Sequence, residues 1–402
     1  MSGAKLLIVA AFVVGLALSN QIRPLNILAY SLVAALVLAR LWSWASVCAL
    51  TMRRHLRQPR VQVGQTVEER LTVHNDGLLP RLWLQVHDHS TLPGHAPGRV
   101  VDLAPGGSRT WLVRTVCQRR GEYFLGPTTL IGADPVGFFT ARRRVADVQR
   151  LLVYPATVDL AGFAPPSASQ LGGTHRRSGL SQTTPHAAEV REYHPGDPLN
   201  RIHWPTTARA SRLMVKEFDQ DPTADVWVYL DLERKHHYGE GDDSTEEYGV
   251  TIAASLARLF LDQNRSVGLV ASGARPGVLP ADRGDRQLLK VLEELAVVRA
   301  DGDTPLAEII AAEGYRCGRN AVALVITPAL AEDWVSGLQQ LRFEGVRSAA
   351  IVLEASTFGG GQSSLLLIGA LAAAGLPTYL VKRGDHLPEV LRGDGRHIGT
   401  GG

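Results

Sequence analysis

The chain has 402 residues, 45% of them hydrophobic and 20% charged, with a formal net charge of +3. That length accommodates two domains with substantial cores, and the composition excludes a disordered chain. So small a basic excess argues against nucleic acid as the main partner, while three scattered cysteines, Cys48, Cys117 and Cys317, exclude a disulfide framework and suit buried thiols in a reducing compartment.

Residues 1–52 pose a separate solvent problem. Leu6–Ile22 carries no charge, and after Arg23-Pro24 the chain is again uncharged from Leu25 to Ala39. These runs of 17 and 15 residues sit at or just below the ~17–25 that cross a bilayer, so they predict a transmembrane helical hairpin turning at "NQIRP". Arg40 near the end of the second run can snorkel to the headgroups. Trp42 and Trp44 fall where an aromatic belt sits. Arg53, Arg54, Arg57 and Arg60 follow the second run, against Arg23 alone in the turn. The positive-inside rule then puts both ends, and everything after residue 50, in the cytoplasm.

Residues 53–155 change texture. "VEERLTV" (67–73) alternates apolar and polar positions, and "LWLQVH" (82–87) does the same. "TWLVRTV", "YFLGPTTLI", "GFFTARRRV" and "RLLVYP" follow, separated by turn signals such as "NDG" and "APGG". No helical period appears, and the pattern predicts a β-sandwich. Residues 156–188, rich in Pro, Gly, Ser and Thr, predict a linker.

Residues 189–402 open with "EVREYHPGDPLNRIHWPTTARASRLMVKEFDQD" and then alternate strands and helices. "ADVWVYLDL", "SVGLVAS", "NAVALVIT", "RSAAIVLE" and "PTYLVKR" are strand-like. "TEEYGVTIAASLARLFLDQ", "DRQLLKVLEELAVV", "TPLAEIIAAEGY", Ala331–Phe343 and Ser363–Ala374 are helical. Thr304 is the expected N-cap of the third, with Pro305 in its first turn. The alternation predicts a doubly wound, mostly parallel α/β sheet.

The stretch "REYHPGDPLNRIHWPTTARASRLMVKEF" resembles the signature of the bacterial domain-of-unknown-function family fifty-eight. The matching positions are Arg191, Tyr193, Gly196, Asp197, Arg201, Ile202, Trp204, Ala208, Arg209 and Lys216. "RRGEYFLGPTTLIGADPVGFF" is similar to the end of that family's sandwich. The resemblance implies a membrane hairpin, a β-sandwich and a von Willebrand factor A-like domain. It also implies a setting beside MoxR-type AAA+ ATPases and transglutaminase-like membrane proteins, with a role in envelope protein assembly or maturation.

Von Willebrand A-type domains often hold Mg²⁺ through Asp-x-Ser-x-Ser after the first strand, with a distant Thr and Asp. Here Asp231 is present, but Glu233 and Lys235 replace the serines, Thr304 could match the distant threonine, and Thr327-Pro328 stands at the second Asp position. An ammonium at Lys235 would repel a cation and supply its own charge to Asp231, so the expectation is a degenerate site with no metal and no cofactor. The His-rich "ERKHHYGEGDDSTEE" lacks ligand spacing and is expected to be a solvated loop.

The signature itself admits three readings. As an enzyme, a hydrolase or nuclease, it would use His194 or His203 as base, Asp197 as orienter and Arg191 or Arg201 as anion holder, or group Glu189, Asp197, Glu217 and Lys216. It lacks a convincing nucleophile or metal-ligand set. As a nucleic-acid clamp it is too balanced, with five basic and six acidic residues. As a latch or partner-docking surface, Arg191, Asp197, Arg201 and Arg209 pair locally while Trp204 supplies an apolar anchor. The preferred reading is a membrane-anchored, non-enzymatic scaffold working with an ATPase partner.

Overall fold

The computed structural model describes residues 11–12, 14–16, 19, 23–163, 187–193, 202–218, 224–274 and 276–392. The chain forms two compact units, residues 1–156 and 157–402.

The first unit begins with helix α1 (Arg23–Val47), long and apolar enough to cross a membrane. Its 25 residues span about 37 Å at ~1.5 Å per residue, against a hydrocarbon core of about 30 Å. The helix runs past the expected stop at residue 40 because nothing in "LWSWASV" breaks it. Its last turns also pack on the body of the unit, where Ser43, Ser46 and Val47 are buried. Most of the expected first span, residues 6–22, lies outside the described residues; those described within it are helical.

Ten strands follow: β1 (Leu50–Leu56), β2 (Arg60–Gln62), β3 (Thr66–Asn75), β4 (Arg81–Asp88), β5 (Arg99–Leu103), β6 (Ser108–Val116), β7 (Gly121–Leu125), β8 (Thr128–Ala133), β9 (Thr140–Val145) and β10 (Gln149–Tyr154). They form sheets of order β1-β3-β6, β2-β10-β7 and β5-β4-β8-β9. The first and third share a core of Leu50, Leu71, Val73, Leu84, Val86, Trp111 and Leu130, the arrangement that period-2 alternation on facing strands demands. "YFLGPTTLI", which reads as one strand, is split into β7 and β8 in different sheets. Gly126, at φ +93°, makes the break; a Cβ there would run into the Asp147 carbonyl oxygen.

One polar cluster is sealed inside this unit. The Arg54 guanidinium, fully buried, pairs with Glu69 at 2.6 Å and with Asp88. His95 Nε2 lies 2.8 Å from Glu69. Burial pushes the Asp88 carboxyl up, but the Ser90 hydroxyl, the Arg54 charge and the Thr128 hydroxyl pull it down more strongly, so it titrates below the usual carboxylate range.

The second unit begins with residues 157–163, the start of the expected linker, which are folded rather than free. Leu160 and Phe163 are buried, and the Phe163 ring lies 6.1 Å from Phe260 and 5.3 Å from Tyr379. Residues 164–186 lie outside the described residues. The signature then contributes β11 (Ala187–Glu192), α2 (Trp204–Ala210) and β12 (Met214–Phe218).

The α/β body comprises β13 (Val226–Leu230), β14 (Gly239–Glu240), β15 (Asp243–Ser244), α3 (Thr245–Asp262), β16 (Val267–Ser272), β17 (Pro276–Asp282), α4 (Asp285–Val297), α5 (Leu306–Glu313), β18 (Val322–Thr327), α6 (Asp333–Phe343), β19 (Arg347–Leu353), α7 (Leu365–Ala373), β20 (Thr378–Val381) and α8 (Leu387–Leu391). Its sheet has the order β17-β16-β13-β18-β19-β20. All neighbours are parallel except β16 and β17. One face carries α5, α6 and α7 over Trp227, Tyr229, Val325 and Val352; α3 covers the other, with Gly249 against Leu230 and Ile326. Every residue of β13 and β18 is buried, as continuous apolar runs in a parallel sheet require.

One local expectation is corrected. α5 starts at Leu306 behind Pro305, and Thr304 is an exposed loop residue rather than its cap. The edge strand β17, "PGVLPAD", carries a Gly and two Pro, which an antiparallel edge tolerates. Cys117 and Cys317 are buried, as their scatter suggests, and burial pushes the Cys317 thiol up to about 11.

Replacing Arg54 with Leu leaves Glu69 and Asp88 buried without their cation, and a cost of about 3–5 kcal/mol is expected by chemical denaturation. The Asp88 contribution is complete above about pH 3.9, the ordinary aspartate value. It fades as pH falls through the lower folded value, so acid titration of Asp88→Asn should lack that component.

Candidate functional site

In the order β17-β16-β13-β18-β19-β20 the chain direction around the sheet reverses between β13 and β18. Ligand crevices in open α/β sheets lie at such a point, outside the carboxyl ends of the strands. Asp231 follows β13 there, and Thr327 ends β18. Asp231 is completely buried. Its Oδ2 accepts the Thr327 hydroxyl at 2.6 Å, and its Oδ1 accepts the Glu233 N–H at 3.0 Å. The Thr327 oxygen in turn accepts the Ala329 N–H at 2.9 Å. Thr327 therefore serves as a hydrogen-bond donor to Asp231.

The loop after Asp231 closes over this pair. Glu233 is buried, and its Oε1 is 2.5 Å from the Lys235 ammonium, which is largely in solvent. That hydrogen bond raises the Lys235 pKa. The ammonium thus answers Glu233, not Asp231 as the sequence suggests. His236, on the short 3₁₀ turn Arg234–His236, brings Nδ1 to 3.3 Å from Glu233 Oε2 and 4.0 Å from Asp231 Oδ2. His237 donates from Nε2 to the Asp231 carbonyl at 3.0 Å, with Nδ1 3.0 Å from the Thr245 hydroxyl. Burial lowers its pKa despite the nearby Asp231 charge. Glu233, His236 and His237 are therefore built onto the sheet edge while Arg234, Lys235 and residues 238–240 remain exposed, so the expected solvated loop holds only in part; the engaged part is hidden from sequence because only the fold returns it to Asp231. Thr304 sits in the exposed loop after Gly302, whose backbone pairs with Glu233.

Asp231, Glu233 and His236 offer ligand atoms within 4.8 Å of one another, a span one divalent ion could bridge. Lys235 opposes such an ion from the Glu233 side, and Thr327 already engages Asp231. A further carboxylate at this edge, Glu354 at the end of β19, is buried and taken up by Ser356 and by the Ser364 N–H and hydroxyl. Its burial raises the pKa, but those donors outweigh it and hold the group low. A charge ending the apolar run "SAAIVLE" was its only sequence signal.

The signature forms an arm. β11 and β12 pair antiparallel, with Arg191 opposite Val215 and Val190 opposite Lys216. Ile202 bridges to Val215, and both are buried. The His203 N–H donates to the Met214 carbonyl at 2.7 Å and the Tyr193 N–H to the Leu213 carbonyl at 2.9 Å. Glu189 and Glu217 are register partners. The side chains of Arg191, Lys216, Glu189 and Glu217, and the whole of His194, Gly196, Asp197 and Arg201, lie outside the described residues. α2 buries none of its residues: Trp204 is 65% exposed, and Arg209 is exposed in its last turn. A buried tryptophan anchor is thus corrected to a displayed one, because Ile202 and Val215 supply the arm's apolar contact instead.

Together these features define an α/β protein with a mostly parallel sheet, a polar carboxyl edge and an exposed signature arm. Residues 189–354 match the family described as "Protein of unknown function DUF58". The uncharacterized protein YeaD of Bacillus subtilis is 28% identical over 222 residues, 53% of this chain and 52% of that protein. The uncharacterized protein Rv1480 of Mycobacterium tuberculosis is 27% identical over 176 residues, 41% of this chain and 53% of that one. The chain spans about half the length of the curated relatives it matches. Among solved structures, the CARDB domain of PF1109 from Pyrococcus furiosus, in complex with di-metal ions, is 15% identical. It covers 26% of this chain and 91% of that one at a TM-score of 0.20. The C-terminal domain of wzt is 11% identical, over 27% of this chain and 75% of that one, at 0.22. Scores that low bear on neither fold nor function.

With Lys235 in place, calorimetric titration with millimolar Mg²⁺ should give no saturable heat. Lys235→Met should unmask binding that Asp231→Ala then removes. A wild-type exotherm abolished by Asp231→Ala overturns the self-neutralised site.

Proposed function

We propose that the protein is a membrane-anchored scaffold or adaptor whose signature arm docks a partner protein. One observation carries this: Trp204, a large aromatic, is displayed on a helix that buries nothing, with Arg209 exposed one turn or so further on. Trp and Arg are the residues that dominate binding energy at protein interfaces. The partner in this proposal is a MoxR-type AAA+ ATPase, in a setting shared with a transglutaminase-like membrane protein and directed at envelope protein assembly or maturation. Those identities rest on the family resemblance of the signature.

The α/β body is, in this proposal, von Willebrand factor A-like, supported by its one antiparallel edge strand and by Asp231 directly after the central strand. Its carboxyl edge is closed by Lys235 and Thr327 and acts as structure. The anchor is, in this proposal, a two-pass hairpin with both ends cytoplasmic, supported by the apolar helix Arg23–Val47, by the charge-free run Leu6–Ile22 before it and by the arginines that follow it.

If the arm docks a partner, Trp204→Ala should leave stability within about 0.5 kcal/mol of wild type, as for an exposed position. It should weaken capture of the co-purified ATPase by roughly 30-fold, the equivalent of a 2 kcal/mol hot spot. A large loss of stability with unchanged capture returns Trp204 to a structural role. For topology, single cysteines are placed in a chain whose three native ones are replaced. Cysteine at Gln21 should react with an impermeant reagent from outside intact cells, and cysteine at Gln58 should not; the reverse pattern overturns the orientation.

A further inference from the structure

The first unit carries an exposed apolar cluster at the end at which α1 enters. Strand register fixes this. Leu50, three residues after α1, pairs with Asn75 at the end of β3. The Asp76 N–H donates to the Ala49 carbonyl at 2.8 Å, and the Arg81 guanidinium to the Cys48 carbonyl at 3.0 Å. The turn 76–80 and the start of β4 therefore sit against the end of the helix. β8 runs antiparallel to β4 and β9 to β8, which brings the 134–139 turn to the same end. Ser46 packs against Gly132 there so closely that a Cβ on the glycine could not fit.

On these two turns and the first residues of β4, Leu78 is 93% exposed, Val136 66% and Trp83 60%, with Leu79 and Leu82 also exposed. Leu82 and Trp83 point outward together because a bulge interrupts β4 between Arg81 and Leu84. Trp83 sits at φ +52°, a conformation rare for a bulky side chain, and its N–H is held at 2.6 Å by Asp102 Oδ1. A strained residue that displays an aromatic ring, in a cluster this apolar, marks a surface made for contact. Exposed arginines stand on neighbouring strands, Arg53 on β1 and Arg142, Arg143 and Arg144 on β9, and Arg143 reaches toward the Val47 carbonyl at the end of α1. The exposed acid Asp76 is engaged by the Thr51 hydroxyl and His74.

We infer that this end is a second membrane contact: Leu78, Leu79, Leu82, Trp83 and Val136 enter the headgroup region of the bilayer that α1 spans. The inference rests on the anchoring proposed above. Depth supports it, because Trp44, exposed on α1 at the level of an aromatic belt, lies only about 4.5 Å along the axis from Val47, at ~1.5 Å per residue. Apolar side chains packed beside that exit stand at interfacial depth, and the exposed Arg143 at the Val47 carbonyl suits anionic headgroups.

The test uses the full-length protein, cysteine-free, in vesicles of phosphatidylcholine and phosphatidylglycerol, with nitroxides attached through single cysteines. Leu78→Cys and Val136→Cys probe the cluster. Phe124→Cys is the reference, exposed beside Thr91 at the far end of the unit, and Val33→Cys reports on α1. Collisions with a water-soluble nickel complex should be severalfold rarer at 78 and 136 than at 124. If 33 is lipid-immersed while 78 and 136 match 124, the inference fails and the anchor stands. If 33 is also water-exposed, both fail.

Discussion

A carboxylate with no exposed surface has to be answered by donors, and Asp231 at the end of the central strand organises much of the second unit through that demand. Thr327 supplies a hydroxyl from the next strand, and the backbone of Glu233 folds back to supply an N–H. Closing the loop that way buries Glu233, which brings in Lys235 and His236; His237 then fastens the loop to α3 through Thr245. One buried charge thus sets the conformation of the stretch from β13 to α3. It also decides what the crevice at the reversal of the sheet can accept, because its polar groups are largely engaged within the chain.

The first unit solves a similar problem differently. Arg54 balances Glu69 and Asp88 in a fully buried cluster that ties β1, β3 and β4, strands from two sheets, together. Such a cluster contributes little net stability over an apolar core, but its geometry is exacting and disfavours other registers. A body fixed in this way can hold a bulge such as the one at Leu82 and Trp83, which a looser sheet would relax.

Much of this was legible in the residues. The charge-free run before Arg40 marked α1, alternation marked β3 and β4, and continuous apolar runs marked β13, β16, β18 and β19, because each pattern is the imprint of one local environment. The signature's identity was equally plain in "REYHPGDPLNRIHWPTTARASRLMVKEF", whose family is the one that residues 189–354 match. Less legible were elements whose residues argue against their own structure, such as the Pro-bearing edge strand β17 and the folded start of the linker at Leu160 and Phe163.

By itself the sequence determined the main helices and parallel strands of the α/β body and that Asp231 ends a buried strand, since these depend on periodicity along a single stretch. Only tertiary structure decided the rest. It placed Thr327 on Asp231 across 96 residues, gave Lys235 to Glu233, and brought His236 back to the sheet edge. It also left Trp204 in solvent when Ile202 and Val215 took the arm's apolar contact. Partner choice among charged and aromatic side chains is a matter of distance in space. A linear pattern records which groups are available, whereas packing and desolvation select which of them meet.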